Sequence, residues 1–439
     1  MEFLDKLVLP HSGTNLEVLK YLLILAQLIF LIFSGALLGS TIISFISGLK
    51  ANKNKCFDYA RLAVDNIDLI LSSKMMGVGL GIIPLFSILM IYLQLFHESG
   101  TEFFIYLILA SALYLAGYIF LLIYRATLHS KNITAYLKKS NEVSGSFPHF
   151  NAILSLPGLL LIFLSSWILI STISLTQDSV RWVGEKGLLD IIFSASGLFE
   201  FVSFLLVSMS ISSTAFLVKT FYWDKPENLG DSYAGLASKL NLTIALVFSL
   251  FQPILFILNA FLTPDESVSS LPYGLILLGL ILTFVLVHFL YSNLKTKETN
   301  YSTISFYLVL TIFAIFVIKG QLSFGVASRE QILKLSDAFD KHEAALMEKL
   351  GKSVNNINGE EIYKAKCTAC HKFDEKAVGP PHKLVMAKYE GKQEEMVKFI
   401  LNPVKIDPAY PLMPSQGLTP KEAKAIVEYM YKHYGEKIK

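Results

Sequence analysis

Long apolar runs alternate with short polar stretches from Tyr21 to Ile318. The runs lie near Tyr21–Ile46, Met75–Phe96, Phe103–Tyr124, Ala152–Leu175, Leu188–Leu217, Leu240–Leu262, Tyr273–Tyr291 and Ile304–Ile318. Most hold about twenty residues, the length an α-helix needs to cross a hydrocarbon layer about 30 Å thick. The pattern therefore predicts eight membrane-spanning helices within residues 1–327. Beyond Ser328 the period changes. Ile332, Leu335, Phe339, Leu346 and Leu350 recur at helical spacing among charged residues, with Leu333, Ala338 and Ala345 beside them. This predicts an amphipathic helix standing off the membrane, in a linker over 328–355. The join Ser353-Val354-Asn355-Asn356-Ile357-Asn358-Gly359 carries the asparagines and glycine of a loop, and predicts a tether on which residues 356–439 swing. The expected fold is all-α: a polytopic transmembrane bundle, then a small all-α domain.

Charge orients the bundle. The stretches 50–74, 125–150, 219–239 and 294–302 carry most of the loop lysines and arginines, whereas 98–102, 177–187 and 264–272 hold only Arg181 and Lys186 between them. Basic loops stay in the cytoplasm, so both the N-terminus and the C-terminal domain are expected outside. Met1–Glu17 is mixed polar and the first apolar run is too long for a signal h-region, so no cleavable signal is expected. With 53% hydrophobic residues and a mean hydropathy of +0.52, the composition excludes a soluble fold of this size.

Candidate chemistry concentrates in Cys367-Thr368-Ala369-Cys370-His371. Two thiols three residues apart can add across the two vinyl groups of one haem, and the histidine that follows is then held under the iron. A zinc site or a redox CxxC is the alternative. Only three cysteines exist, so no second pair completes a zinc site, and Cys56 falls in a cytoplasmic loop where it stays reduced. One CxxCH implies one covalent haem c. A second axial ligand is expected from Tyr410-Pro411-Leu412-Met413-Pro414, where Met413 follows His371 by 42 residues on a Pro-flanked loop. Methionine at that position raises the reduction potential. Met396 and Met430 sit in amphipathic stretches and read as core, and Met386 follows the histidine loop too closely to cross easily to the far face. Haem is attached on the outer side of the bacterial inner membrane, which agrees with the side that charge assigns to CTACH.

Gly359-Glu360-Glu361-Ile362-Tyr363 opens a short helix into this motif, and Gly379-Pro380-Pro381 follows it. Thr419-Pro420-Lys421-Glu422 starts a last helix, with Thr419 as N-cap and Glu422 three residues on. From about Asn356 to the end the chain resembles the class I cytochrome c family. The resemblance implies that Gly359 lets the first helix cross the last closely, with Tyr363 and Tyr429 packing at the contact. It implies that the Pro380 carbonyl accepts a bond from Nδ1–H of His371, fixing the ring and raising its basicity.

The expected function is electron transfer by a membrane-bound monohaem cytochrome at the outer, periplasmic face of the bacterial inner membrane, within a respiratory chain. Its partners would be redox donor and acceptor proteins or a membrane redox complex, and the lipid bilayer, with no nucleic acid. Fourteen lysines against eleven acidic residues from 356 onward would steer an acidic partner. One alternative is a subunit of a quinol-oxidising or other membrane redox enzyme, with quinone or haem b in the bundle. Another is a transporter or assembly factor with a haem redox sensor. Inside the spans, Glu200 and His288 are the suggestive ionisable groups, since such residues are costly at depth and face bundle interiors or wet cavities. Counting at about 1.5 Å per residue puts them about 5 Å apart in depth, which allows a proton-handling or quinol pair. His11 with His97 is the alternative histidine pair for a haem b. No metal cluster of carboxylates and histidines is legible.

Overall fold

A computed structural model describes residues 8, 10–97, 99, 104–130, 133, 152–184, 187–224, 229–262, 270–350 and 357–434. Every regular element among them is helical. Among the described residues eight helices are long and apolar enough to cross a membrane, so the chain is a multi-pass membrane protein. The chain divides into two compact units.

The larger unit holds Leu23–Met90 and Thr101–Ala327. Its elements are α1 (Gly13–Asn54, from Leu23 on), α2 (Phe57–Leu71), α3 (Lys74–Leu95, up to Met90), α4 (Phe104–Leu128), α5 (Ala152–Thr176), α6 (Arg181–Gly184), α7 (Leu188–Ile192), α8 (Ala195–Trp223), α9 (Asp231–Phe261), α10 (Ser270–Thr296) and α11 (Ser302–Ala327). Helix α8 is the hub, packing on α5, α9 and α11. Its face towards α1 is lined with small residues. A Cβ on Gly39 would fall 2.2 Å from Ser212 Oγ and 2.6 Å from the Ser208 carbonyl. Ser212 Oγ donates to the Ala36 carbonyl at 3.0 Å. Small residues let two backbones approach closely where lipid supplies no hydrophobic drive between helices. Helix α2 is amphipathic and is pinned by charge: Arg125 Nε on α4 donates to Asp68 Oδ1 at 2.5 Å, and Lys219 Nζ on α8 to the Asp68 carbonyl at 3.1 Å.

Three prolines of the apolar runs, Pro84, Pro157 and Pro253, are accommodated in three ways. Pro84 follows a π-turn over Gly77–Ile82, which absorbs the missing hydrogen bond. Pro157 lies in the first turn of the α-helical part of α5, Ser155–Thr176, where its missing N–H costs nothing. Pro253 follows a break at Phe251, where α9 restarts at Gln252. Span five begins later than its apolar run. Leu188–Ile192 is a separate short helix, and Ser194 then caps α8 by accepting from Gly197 N. Glu200 consequently lies in the second turn of α8, not near its middle.

The second unit holds residues up to Leu22, Ile91–Gly100 and Ser328–Lys439. It contains α12 (Arg329–Lys349), where the amphipathic helix was expected, and the short helices α13 (Gly359–Lys366), α14 (His382–Lys388), α15 (Gln393–Leu401) and α16 (Pro420–Tyr434). Tyr363, Met386, Met396, Ile400, Leu418, Ala423, Ile426, Val427 and Met430 form the core of its C-terminal part. Helices α13 and α16 cross so closely that a Cβ on Gly359 would fall 2.1 Å from the Ala425 carbonyl oxygen. Tyr363 and Tyr429 pack at the crossing, 5.3 Å between ring centroids. The cap of α16 is reciprocal: Glu422 N donates to Thr419 Oγ1 at 3.2 Å and Thr419 N to Glu422 Oε2 at 2.8 Å.

Helix α12 is bonded to this domain. Arg329 Nη1 reaches Asn402 Oδ1 at 3.0 Å and the Pro403 carbonyl at 3.2 Å, and Lys421 Nζ reaches the Asp340 carbonyl at 3.2 Å. These contacts give the amphipathic helix a docked place that the sequence pattern does not convey. Most of the expected tether, residues 353–356, lies outside the described residues.

Candidate functional site

Cys367 ends α13, and the chain turns tightly there: Cys370 N and His371 N both donate to the Cys367 carbonyl, at 3.2 and 3.0 Å. Thr368 Oγ1 donates back to the Lys364 carbonyl at 2.7 Å, holding the turn on the helix. Both free thiols are partly buried and line one cavity of about 330 Å³. Burial, and then the neighbouring Cys370, pushes the Cys367 thiol up to about 11.

His371 lines the same cavity. Its Nδ1 lies 2.9 Å from the Pro380 carbonyl oxygen, which leaves Nε2 as the ring nitrogen available to a ligand. The loop 372–383 wraps the ring. Gly379 N donates to the Cys370 carbonyl at 2.8 Å, His382 N to Lys372 O at 2.9 Å and Lys383 N to Phe373 O at 3.0 Å. A Cβ on Gly379 would sit 2.3 Å from His371 Cε1, so no larger residue fits beside the imidazole as placed. His382 stacks on His371, centroids 4.7 Å apart and planes at 14°, and its Nδ1 is 2.8 Å from the Tyr363 hydroxyl. Burial first, and then His371, pushes the His382 imidazole down to about 4, so it is neutral around pH 7. This stack was not legible from sequence, because His382 shows no ligand-like spacing.

Met413 is partly buried and lines the cavity on the loop that carries Tyr410, Pro411 and Pro414. Met396 and Met430 touch the cavity too, but each is 2% exposed and belongs to the core. Met386 is equally buried in that core and is not among the lining residues. Much of the remaining wall is apolar, with Val385, Phe399, Ile400, Leu412 and Leu418, while Lys366, Lys388, Lys405 and Asp407 also line it. Paired thiols, an oriented imidazole and a thioether around one apolar cleft, within the size range of small-molecule sites of about 300–1,000 Å³, fit a haem. The donor set is that of a c-type centre.

Glu200 and His288 share neither of the bundle cavities that Glu200 lines. Glu200 lines two small cavities in the bundle, one with Lys319 and one with Gln27 and Gln321. His288 is exposed on α10 and lines neither. Lys319, which is 4% exposed within α11, shares a cavity with Glu200. The apolar run that marked span eight ends at Ile318. The helix continues to Ala327, which puts Lys319 inside it. A lysine between Ile318 and Gly320-Gln321 was the available signal. His11 is taken by Gln94, at 3.0 Å from its side-chain oxygen.

A small all-helical domain that brings a CxxCH turn and a methionine loop to one apolar cleft has the architecture of an electron-carrying haem protein. Residues 355–430 match the family described as "Cytochrome C oxidase, cbb3-type, subunit III". Cytochrome c-551 of Pseudomonas denitrificans is 43% identical over 77 residues, 16% of this chain and 93% of that protein. Cytochrome c-551 of Azotobacter vinelandii is 38% identical over 81 residues, 17% of this chain and 96% of that protein. Through this domain the chain belongs to the class I c-type cytochrome family. With its eight candidate spans it is a membrane-bound c-type cytochrome.

Proposed function

We propose that the protein carries one covalent haem c and passes electrons at the outer, periplasmic face of the bacterial inner membrane, within a respiratory chain. The convergence of Cys367, Cys370, His371 and Met413 on one cleft carries this reading. When bound, the haem supplies a one-electron iron couple. The two thiols would tether it as thioethers. His371 Nε2 and Met413 Sδ would hold the iron, and the Pro380 carbonyl would keep the imidazole oriented and electron-rich. The largely apolar wall would limit water at the cofactor, and together with the thioether would favour the reduced state.

Partner recognition follows from the rim of the cleft. Val378, Leu384, Val404, Ile406 and Leu412 are exposed there, and Lys366, Lys388 and Lys405 lie among them. An acidic redox protein would be steered by the lysines and would lose affinity as salt rises.

The side of the membrane is tested with an impermeant oxidant. Ferricyanide added to spheroplasts with prereduced protein should bleach the reduced haem bands at once, and added to inside-out vesicles should leave them. The reverse pattern would put the domain in the cytoplasm and remove the outer-face reading.

A further inference from the structure

Glu200 and Lys319 are ionisable, lie within helices α8 and α11, and among the described residues neither makes a direct hydrogen bond or ion pair. Ionisable groups inside a membrane bundle need partners, and an unsatisfied one is costly. Here the partner groups are arranged around space. One cavity of about 30 Å³ is lined by the charged residues Glu200, Lys319, Asp178 and Arg181 together with Gln177 and Asn259. A second of about 30 Å³ is lined by Glu200 and Gln177 again, with Gln27 and Gln321, whose side chains are bonded at 2.6 Å. A polar cavity above about 10–15 Å³ holds a water, provided it offers two to four polar partners. Each of these does, and each is far below the several hundred cubic ångströms of a cofactor or quinone site.

We infer that Glu200, Lys319 and Gln177 form a hydrated proton-exchange site, joining two water-sized cavities within the bundle. This goes beyond electron transfer by the haem domain and assigns the bundle chemistry of its own. The ligand is a proton carried on water, not a quinol. Hydronium in either cavity gives its proton to the Glu200 carboxylate, forming an O–H bond and leaving water. The reverse step releases the proton to the other cavity. The Lys319 ammonium stays protonated and supplies countercharge when Glu200 is ionised. The Gln177 amide, which faces both cavities, orients the waters.

The surrounding charges are accounted for on each packed element. After α5, Asp178 Oδ1 accepts from Val180 N at 3.1 Å, and Arg181 donates to Ser194 Oγ at 2.9 Å and to Ser196 Oγ. On α7, Asp190 is bonded to Gly187 N at 3.2 Å and lines neither cavity. Helices α1 and α9 contribute the neutral Gln27 and Asn259, and α11 contributes Lys319. Gly320 leaves room for the amide: a Cβ there would fall 2.9 Å from Gln177 Nε2.

Infrared difference spectroscopy of the full haem-loaded protein in lipid tests this. The expected result is a carboxylic C=O band that falls as pH rises, shifts in D₂O, and is lost in Glu200→Gln while haem content is unchanged. Gly320→Ala, which presses on Gln177, should shift the band or slow its exchange. It also serves as the readout where Glu200→Gln does not accumulate. A band that persists in Glu200→Gln, or one that ignores both pH and D₂O, would overturn the proposal, as would an unchanged band in Gly320→Ala. Saturable perturbation of the band by duroquinol would also overturn it, since the site would then hold a quinone headgroup.

Discussion

At the scale of single residues, the cofactor cleft was legible because its parts are local in sequence. Cys367, Cys370 and His371 are fixed by one turn, and Met413 by one Pro-flanked loop. Glu200 was legible only as an oddity. Its neighbours lie elsewhere in the fold, Lys319 on α11 and Gln177 just past the end of α5, and no spacing rule connects either to Glu200. His288 looked like a partner by depth alone. Depth leaves the direction around a helix open, and α10 turns His288 outward. The residue-scale prediction concerns the sixth ligand. Met413→His should lower the midpoint potential and abolish the weak charge-transfer band of the oxidised protein towards the red, both read by redox titration with optical spectra. An unchanged potential and band in Met413→Ala would remove Met413 from the iron. Gly379→Ala should weaken haem retention, because the added methyl occupies the place of His371.

At the scale of elements, the apolar runs located all eight spans, while their ends were set by signals the runs do not contain. Ser194 caps α8 six residues after the run has begun at Leu188, and a charged residue stopped the run of α11 although the helix continued. The start of α16 was legible because a capping box is itself a sequence pattern. Thr419→Ala should cost the C-terminal domain about 1 kcal/mol, the usual loss of an N-cap. Ile426, fully buried between α16 and the rest of the core, should cost about 2–5 kcal/mol as Ile426→Ala. In Gly359→Ala the new methyl meets a backbone oxygen, so the α13–α16 crossing must open. A loss of about 1–3 kcal/mol or more is expected. Guanidinium unfolding in detergent, followed at the haem absorption, ranks the three. A Gly359→Ala protein as stable as the parent would show that the crossing is not tight.

At the scale of the whole molecule, the proposed topology, with both termini outside, rests on two separate physical arguments, loop charge and haem maturation. A reporter active only in the cytoplasm should work after Lys53, Lys139, Glu227 or Lys297, and fail after Gly100, Asp265 or Lys439. Activity at Lys439 would contradict both arguments together. Docking of α12 onto the haem domain belongs to this scale as well. It rests on side chains meeting backbone carbonyls some seventy to eighty residues away, which a helical period cannot reveal.

A pyridine haemochrome spectrum of the purified protein shows whether this membrane-bound chain carries a single covalent haem c. One haem c per chain, no haem b, and no covalent haem once Cys367 and Cys370 are both changed to Ala are the expected results. Covalent haem in that double variant, or a haem b signal in the parent protein, would contradict them.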